Sequence, residues 1–421
     1  MATPLTHCEM SQFKSHNNQL LVNNIPLTRL AQRAGQTPFY AYDRSVIQQK
    51  IDELRQTFEN EASIHYAIKA NPMPALVDFI ADKVDGLDVA SGKELTTALN
   101  SGKSPACISF AGPGKNEKEL LMALAAGITI NIESNTELER IIQLSEQHNL
   151  TANVAVRINP DFELKTSGMR MAGGAQQFGI DAEQAPLILE RIKAASLNFR
   201  GLHIFTGSQN LNPTAICEAH NNIYALAESI SASAKMPLPT LNIGGGFGIP
   251  YFPGELHLNL QPVAENIKRL NQQYSTQLKQ TDIILELGRY LVGEAGIFVS
   301  KVTDIKQSRE QTFAIIDGGL HHHLAASGNF GQVIRKNYPV AIGNKMDKSK
   351  DHSVSIVGPL CTPLDLLAKN MPLPTIEIDD LVVIYQSGAY GFTASPRDFL
   401  SHNPPVPPDR KSTRLNSSHR L

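Results

Sequence analysis

From residue 64 onward the chain alternates short apolar runs with longer stretches whose apolar positions recur at helical spacing. The apolar runs fall at 64–70, 86–90, 107–111, 129–133, 153–159, 201–207, 240–246 and 282–287. Helical stretches such as 94–100, 117–126 and 136–146 lie between them. Eight strands with helical crossovers predict a parallel (β/α)8 barrel, and an open doubly wound sheet is the competing arrangement. Upstream, Pro38-Phe39-Tyr40-Ala41-Tyr42-Asp43 predicts a short strand, with Asp43 capping a helix through Ile47, Ile51 and Leu54. Beyond Arg289 helices become scarce and β-rich runs take over at 296–305, 312–317, 353–357 and 381–386. These predict a second, mainly antiparallel β-domain, which the strand near Phe39 is placed to join. The expected division is a polar leader at 1–37, a barrel at 38–289, a β-domain at 290–405 and a tail at 406–421. The tail's Ser/Arg/Asn-rich spelling breaks with what precedes it and is read as non-native.

Composition narrows the classes. A chain of 421 residues exceeds one hydrophobic core, which agrees with two domains. At 42% hydrophobic and 19% charged, it reads as an ordinary soluble globular protein. A net charge of −2 gives no electrostatic reason to expect nucleic acid or a membrane surface as partner. No apolar run approaches the ~18 residues of a membrane span. Cys8, Cys107, Cys217 and Cys361 lie far apart without metal-type spacing, and the first 24 residues lack a signal-peptide core. Both features point to the reducing cytoplasm.

A barrel places its chemistry at the carboxyl ends of its strands. The polar residues collect there: Lys69, Asp88 with Ser91, Glu133, Arg157 with Asn159, Gly207-Ser208, Gly244-Gly245-Gly246 and Glu286. In Ile64-His65-Tyr66-Ala67-Ile68-Lys69-Ala70-Asn71-Pro72 an apolar run ends abruptly on a lysine, and Asn-Pro forces a turn. A lysine closing a buried strand is costly to keep charged, which suits a neutral, nucleophilic amine. A lysine snorkelling from a strand end would be spelled the same way. The four glycines of Gly244-Gly245-Gly246-Phe247-Gly248 follow a strand, where bare backbone N–H groups can nest an anion. An ordinary tight turn is the other reading. Glu286 and Arg289 read either as a functional carboxylate and guanidinium or as a rim salt bridge.

Taken together, the blocks between residues 38 and 403 resemble the fold-type III pyridoxal-phosphate-dependent decarboxylases, the ornithine/diaminopimelate/arginine decarboxylase family. Tyr66-Ala67-Ile68-Lys69-Ala70-Asn71 is similar to that family's cofactor-lysine motif. The resemblance implies an alanine racemase-like architecture, a TIM-like barrel with a β-domain, and pyridoxal 5'-phosphate as cofactor. It implies decarboxylation of an amino acid or amino-acyl substrate, with Lys69 carrying the cofactor. Gly244, Gly245, Gly246 and Ser208 would hold its phosphate, though a loop serine also caps helices. Glu286 would meet the pyridine nitrogen, Arg289 the phosphate or the substrate carboxylate, and Arg157 the region of the ring. Tyr390, in Gly388-Ala389-Tyr390-Gly391, resembles the family's phosphate-contacting tyrosine. Asp88-Val89-Ala90-Ser91 with Glu94 resembles the block whose acids orient ring-facing groups, and reads equally as a helix start. Cys361 to Asp365 resembles a Cys-x-x-x-Asp segment that crosses a subunit interface. That implies a homodimer with shared active sites, Cys361 as proton donor and Asp365 as substrate contact.

The chain also departs from the family's pattern. A histidine three residues before the serine stacks on the ring in many relatives, and Phe205 stands there. Phe205 can stack through its π face. His203, two residues back along a strand, would then be a polar group behind it or an uninvolved core histidine. Leu287 replaces the proline of the usual Glu-Pro-Gly-Arg. Thr362 follows the cysteine where diaminopimelate decarboxylases carry an acid for the distal amine, and their Arg-Pro-x-x-Tyr block is missing. Instead Asp317-Gly318-Gly319-Leu320 runs into His321-His322-His323. With Phe399-Leu400-Ser401-His402, that spelling is similar to the exosortase-associated and butirosin-type decarboxylases acting on carrier-bound glutamate. The expected substrate is a small amino acid or an L-glutamyl group on an acyl carrier protein. Free meso-diaminopimelate is the alternative, and a catalytically silent binding homologue is a third reading. Adjacent histidines on a strand alternate faces, so the triple histidine predicts no metal site.

Overall fold

A computed structural model of the chain describes residues 5–405, apart from 163–168, 171–172, 277 and 333. The expected non-native tail at 406–421 lies outside the described residues. The chain divides into two compact units, one formed by 51–248 with 258–288, the other by the flanking segments 1–50, 249–257 and 289–421.

The first unit is the barrel. Its strands are β1 (Ser63–Ala67), β2 (Gly86–Val89), β3 (Ile108–Phe110) and β4 (Thr129–Ile132), then β5 (Asn153–Asn159), β6 (Asn198–His203), β7 (Thr240–Gly245) and β8 (Asp282–Leu287). Every strand pairs in parallel with its sequence neighbours, β8 pairs β1, and the β4–β5 ladder completes the ring. The ring closes, so the open-sheet alternative falls away. Chain direction is enforced by helix starts that follow the strands. Ser91, Asn116 and Ser134 cap the helices Gly92–Asn100, Glu117–Ala126 and Asn135–His148, each side chain accepting the N–H of a glutamate at the third helical position. Left-handed Gly127 and Asn149 end the second and third of these.

Two strand ends differ from expectation. β1 stops at Ala67, and Ile68–Ala70 forms a 3-10 turn because Pro72 holds Asn71 extended. β6 begins earlier than predicted and ends at His203, while residues 204–206 leave the ladder before Gly207–Ser208. The shared-face argument for His203 and Phe205 therefore does not apply.

The second unit is the β-domain. Its strands are β9 (Gly296–Ser308), β10 (Gln311–Ile316), β11 (Val340–Ile342), β12 (His352–Val357), β13 (Leu366–Leu373) and β14 (Leu381–Ile384), in the order β11-β14-β9-β10-β12-β13. All pairs are antiparallel except β10–β12. The early strand Phe39–Tyr42 pairs antiparallel with β9. Residues 1–37, expected as a polar leader, contain the short strand Gln19–Val22 and the helix Leu27–Ala34. Leu20 and Leu27 are fully buried in one core with Phe39, Ile297, Val299 and Val383. Apolar positions spaced too far apart to stand out in the sequence are enough to anchor the segment.

Candidate active site

The 3-10 turn lifts Lys69 onto the carboxyl rim of the barrel, where its side chain is 44% exposed and its Nζ lies 3.5 Å from Glu286 Oε1. Lys69 thus stands beside a buried carboxylate. Glu286 ends β8, and its other oxygen, Oε2, lies 3.1 Å from His203 Nε2. Burial pushes the Glu286 carboxyl up, but Lys69, His203 and Arg157 together outweigh it and hold the group well below the usual carboxylate range. Glu286 is thus a fixed negative charge in a low-dielectric site. Arg157, near the end of β5, pairs with Glu133 at 3.0 Å and lies over the Phe178 ring. Glu133 also accepts the Gly112 and Gly179 N–H groups, so the guanidinium is anchored from behind.

The glycine loop meets the same rim. Gly244 and Gly246 have φ of +69° and +70°, a region that side chains other than glycine rarely adopt. A Cβ on Gly244 would stand 2.7 Å from the Phe205 ring, and one on Gly246 would stand 2.3 Å from the Gly207 carbonyl oxygen. The loop therefore lies flat against the segment carrying Phe205 and Ser208. Lys69 Nζ is 5.4 Å from the centre of the Phe205 ring. Ser208 Oγ is buried with no hydrogen-bond partner. A hydroxyl left unpaired beside a bare-backbone loop is what an anionic group would satisfy.

Asp88 faces inward. It accepts a hydrogen bond from Ser109 Oγ and lies 3.3 Å from His65 Nδ1. With Asn131, Asn242 and Arg200 these residues line a cavity of about 330 Å³ inside the barrel. Ser91 and Glu94 take the helix-start role, since Glu94 N donates to Ser91 Oγ and the Glu94 carboxylate accepts the Ala90 N–H.

The remaining predicted residues belong to the β-domain unit. Arg289 donates to Tyr251 Oη at 2.9 Å and lies beside the rings of Tyr251 and Tyr390, with centroids at 5.4 and 4.7 Å. Tyr251 in turn packs on Tyr338 at 4.6 Å. Sequence reasoning missed Tyr251 and Tyr338, which lie in loops far from Arg289 along the chain. Cys361 is an exposed free thiol. Asp365 has its two carboxylate oxygens occupied by the Leu320 and Leu360 N–H groups, at 2.6 and 2.8 Å, and braces the loop that presents the cysteine. His321 and His322 lie on a turn rather than a strand, with rings 3.6 Å apart, so the alternating-face argument against a shared site is corrected.

Residues 44–293 match the family model described as "Pyridoxal-dependent decarboxylase, pyridoxal binding domain". The chain belongs to the pyridoxal-dependent decarboxylases. It is 36% identical to the L-glutamyl-[BtrI acyl-carrier protein] decarboxylase of Niallia circulans over 90% of both chains. It is 33% identical to the diaminopimelate decarboxylase of Aquifex aeolicus, over 90% of this chain and 88% of that one. The crystal structure of diaminopimelate decarboxylase from Helicobacter pylori complexed with L-lysine superposes with a TM-score of 0.78 at 28% identity, covering 87% of this chain and 90% of that one. The protein is therefore a pyridoxal 5'-phosphate-dependent amino-acid decarboxylase with the barrel and β-domain of that family. The rim residues of this decarboxylase fit the cofactor. Lys69 would supply an amine, Glu286 an anion for a protonated ring nitrogen, and the glycine loop with Ser208 Oγ a phosphate cradle.

Proposed function

We propose that the decarboxylase acts on an L-glutamyl group presented by an acyl carrier protein, in a cytoplasmic homodimer with shared active sites. One observation carries the substrate reading. The loop Gly358-Pro359-Leu360-Cys361-Thr362-Pro363-Leu364-Asp365 contains a single acid, and both Asp365 oxygens accept backbone N–H groups. The loop therefore offers the distal ammonium of a diamino acid only a carboxylate already engaged in bracing backbone. A thioester-linked glutamyl group has no distal ammonium to satisfy. The Niallia circulans relative, an L-glutamyl-[BtrI acyl-carrier protein] decarboxylase, acts on a group of this kind.

When bound, the cofactor supplies an electron sink for the pair left behind as carbon dioxide departs. Lys69 Nζ, beside the Glu286 carboxylate, would be the amine that holds it. Glu286, kept ionised by Lys69, His203 and Arg157, would accept the hydrogen bond of a protonated ring nitrogen. Phe205 would stack on one ring face, and Gly244, Gly245, Gly246 and Ser208 would hold the phosphate. Arg289, beside the rings of Tyr251 and Tyr390, would meet an anionic group of cofactor or substrate. Cys361 Sγ from a second copy returns a proton to the substrate α-carbon. Four free cysteines accord with a reducing compartment, and no helix among the described residues is long and apolar enough to cross a membrane.

Carbon dioxide release from L-glutamyl carrier protein, free L-glutamate and free meso-diaminopimelate tests the substrate. The carrier-bound group is expected to lead meso-diaminopimelate by up to ~10⁴ in kcat/KM, as when a buried polar partner is missing. Efficient turnover of free meso-diaminopimelate would overturn the reading in favour of diaminopimelate decarboxylation. For the shared site, inactive Lys69→Ala and Cys361→Ala chains should regain activity when mixed under conditions where mass spectrometry shows subunit exchange. Exchange without recovery contradicts it.

A further inference from the structure

We propose that Asn242 is a positioning residue that locks the two ends of the cofactor cradle together, an inference that rests on the pyridoxal-phosphate site described above. Asn242 is buried on β7, two residues before the glycine loop. Its Oδ1 accepts the Gly244 N–H at 2.8 Å, and its Nδ2 donates to Glu286 Oε2 at 3.4 Å. The amide's orientation follows from chemistry: a backbone N–H can only donate and an ionised carboxylate can only accept. An asparagine between them satisfies both in one way only.

His203 Nε2 shares the same carboxylate oxygen at 3.1 Å, while Lys69 faces the other oxygen. Oε2 is thus gripped from inside the barrel, leaving Oε1 toward the rim. Any rotation of Glu286 drags the Asn242 amide, and the amide is tied to Gly244. Gly244 cannot yield independently, because its left-handed backbone is packed on the Phe205 ring. The carboxylate for the ring nitrogen and the first glycine of the phosphate loop therefore move as one body. An aspartate at 242 would keep the acceptor for Gly244 but place a second carboxylate against Glu286, so the two contacts separate cleanly by substitution.

A double-mutant cycle on cofactor affinity tests the coupling, with the 31P chemical shift of the bound phosphate and melting of the cofactor-free protein as companion readouts. Asn242→Ala should weaken pyridoxal 5'-phosphate binding about 10- to 100-fold and shift the phosphate resonance, as expected for hydrogen bonds to a charged group. In a Glu286→Ala background the same substitution should cost only about threefold, because half of its purpose is gone. If Asn242→Ala lowers the melting temperature of the cofactor-free protein, the near-isosteric Asn242→Asp replaces it in the cycle. Asn242→Asp should weaken binding in the wild-type background and be nearly silent with Glu286→Ala. Equal factors in both backgrounds would overturn the coupling while leaving the cofactor site intact. Wild-type protein that takes up no cofactor would overturn the underlying site itself.

Discussion

Both units bury histidines, and their surroundings treat them in opposite ways. At the barrel interior His65 faces Asp88 at 3.3 Å and His203 faces Glu286 at 3.1 Å. Burial pulls the His65 pKa down, but Asp88 overrides it and the net shift is upward. In the β-domain His323 sits among the rings of Tyr40, Phe298 and Tyr338, with Nε2 on the Ser387 hydroxyl. Burial there pushes its pKa down to about 3. Away from the barrel interior the barrel unit follows the second rule as well, since His220 on the helix Pro213–Ala234 is pushed down to about 4 by burial. What decides is the neighbouring carboxylate rather than depth. At His65 the Asp88 carboxylate raises the pKa, whereas at His323 and His220 burial lowers it.

The sharpest way to break this contrast is at Lys69. Lys69→Ala should lower decarboxylation by at least ~10⁴-fold, the scale of losing a covalent catalytic group. Being exposed, it should leave the melting temperature nearly unchanged. Borohydride reduction of wild-type protein followed by peptide mapping should place the cofactor on Lys69, and a label elsewhere would remove the rim from the chemistry.

Next in size is the acid limb of stability. His323 has a folded pKa below its unfolded value near 6.5, so the unfolded chain takes up the proton first as pH falls. Its contribution is full above about pH 6.5 and is lost progressively toward pH 3, amounting to about 5 kcal/mol. Denaturant titrations at stepped pH should show this slope, and His323→Gln should flatten it. An unchanged slope would assign the acid sensitivity to other groups.

Buried and exposed ion pairs give a smaller, two-sided comparison. Lys115 is 1% exposed, pairs with Glu137 at 2.9 Å, and donates to the Gly112 and Asn131 carbonyls. Lys115→Ala should cost about 3 kcal/mol, because it strands a buried carboxylate. Lys301 and Asp379 pair at 3.0 Å in the β-domain but are 42% and 73% exposed. Lys301→Ala should cost under ~1 kcal/mol. Equal losses in the two melts would contradict the contrast. Smallest of all is Phe205→His, which keeps a π face against the ring and should change kcat/KM by less than ~10-fold.

The barrel was legible because its strands are short, apolar and regularly spaced, and because polar residues at their ends had no packing reason to be there. Lys69 stood out as the polar end of an apolar run, but the 3-10 turn that carries it was not legible, since that depends on the extended Asn71 that Pro72 imposes. The start of the chain was misread because its anchors, Phe13, Leu20 and Leu27, are separated by polar residues and two-residue strands. β13 went unseen because Asn370 with φ of +49° and Pro372 interrupt its pattern. Asn242 was hidden for a different reason: between Leu241 and Ile243 it reads as one polar residue in an apolar strand. Only the β7–β8 ladder, where Asn242 pairs with Ile284 and Glu286 lies two residues further on, brings its side chain to Glu286. Tyr251 and Tyr338 carried no local signal, because what relates them to Arg289 is tertiary.

The pairing of Phe39–Tyr42 with β9 has a consequence for how the chain is made. All four residues of that strand are buried, and Tyr40 is among the largest fully buried side chains of the protein. Their partner strand is synthesised about 250 residues later, and at ~5–20 residues per second the ribosome needs roughly 12–50 seconds to reach it. Through that interval the barrel's segments emerge and are free to fold, while Phe39-Tyr40-Ala41-Tyr42 waits as an unpaired aromatic strand. The nascent protein's aggregation hazard is therefore concentrated near its beginning, and chaperone occupancy during translation should peak there rather than on the barrel.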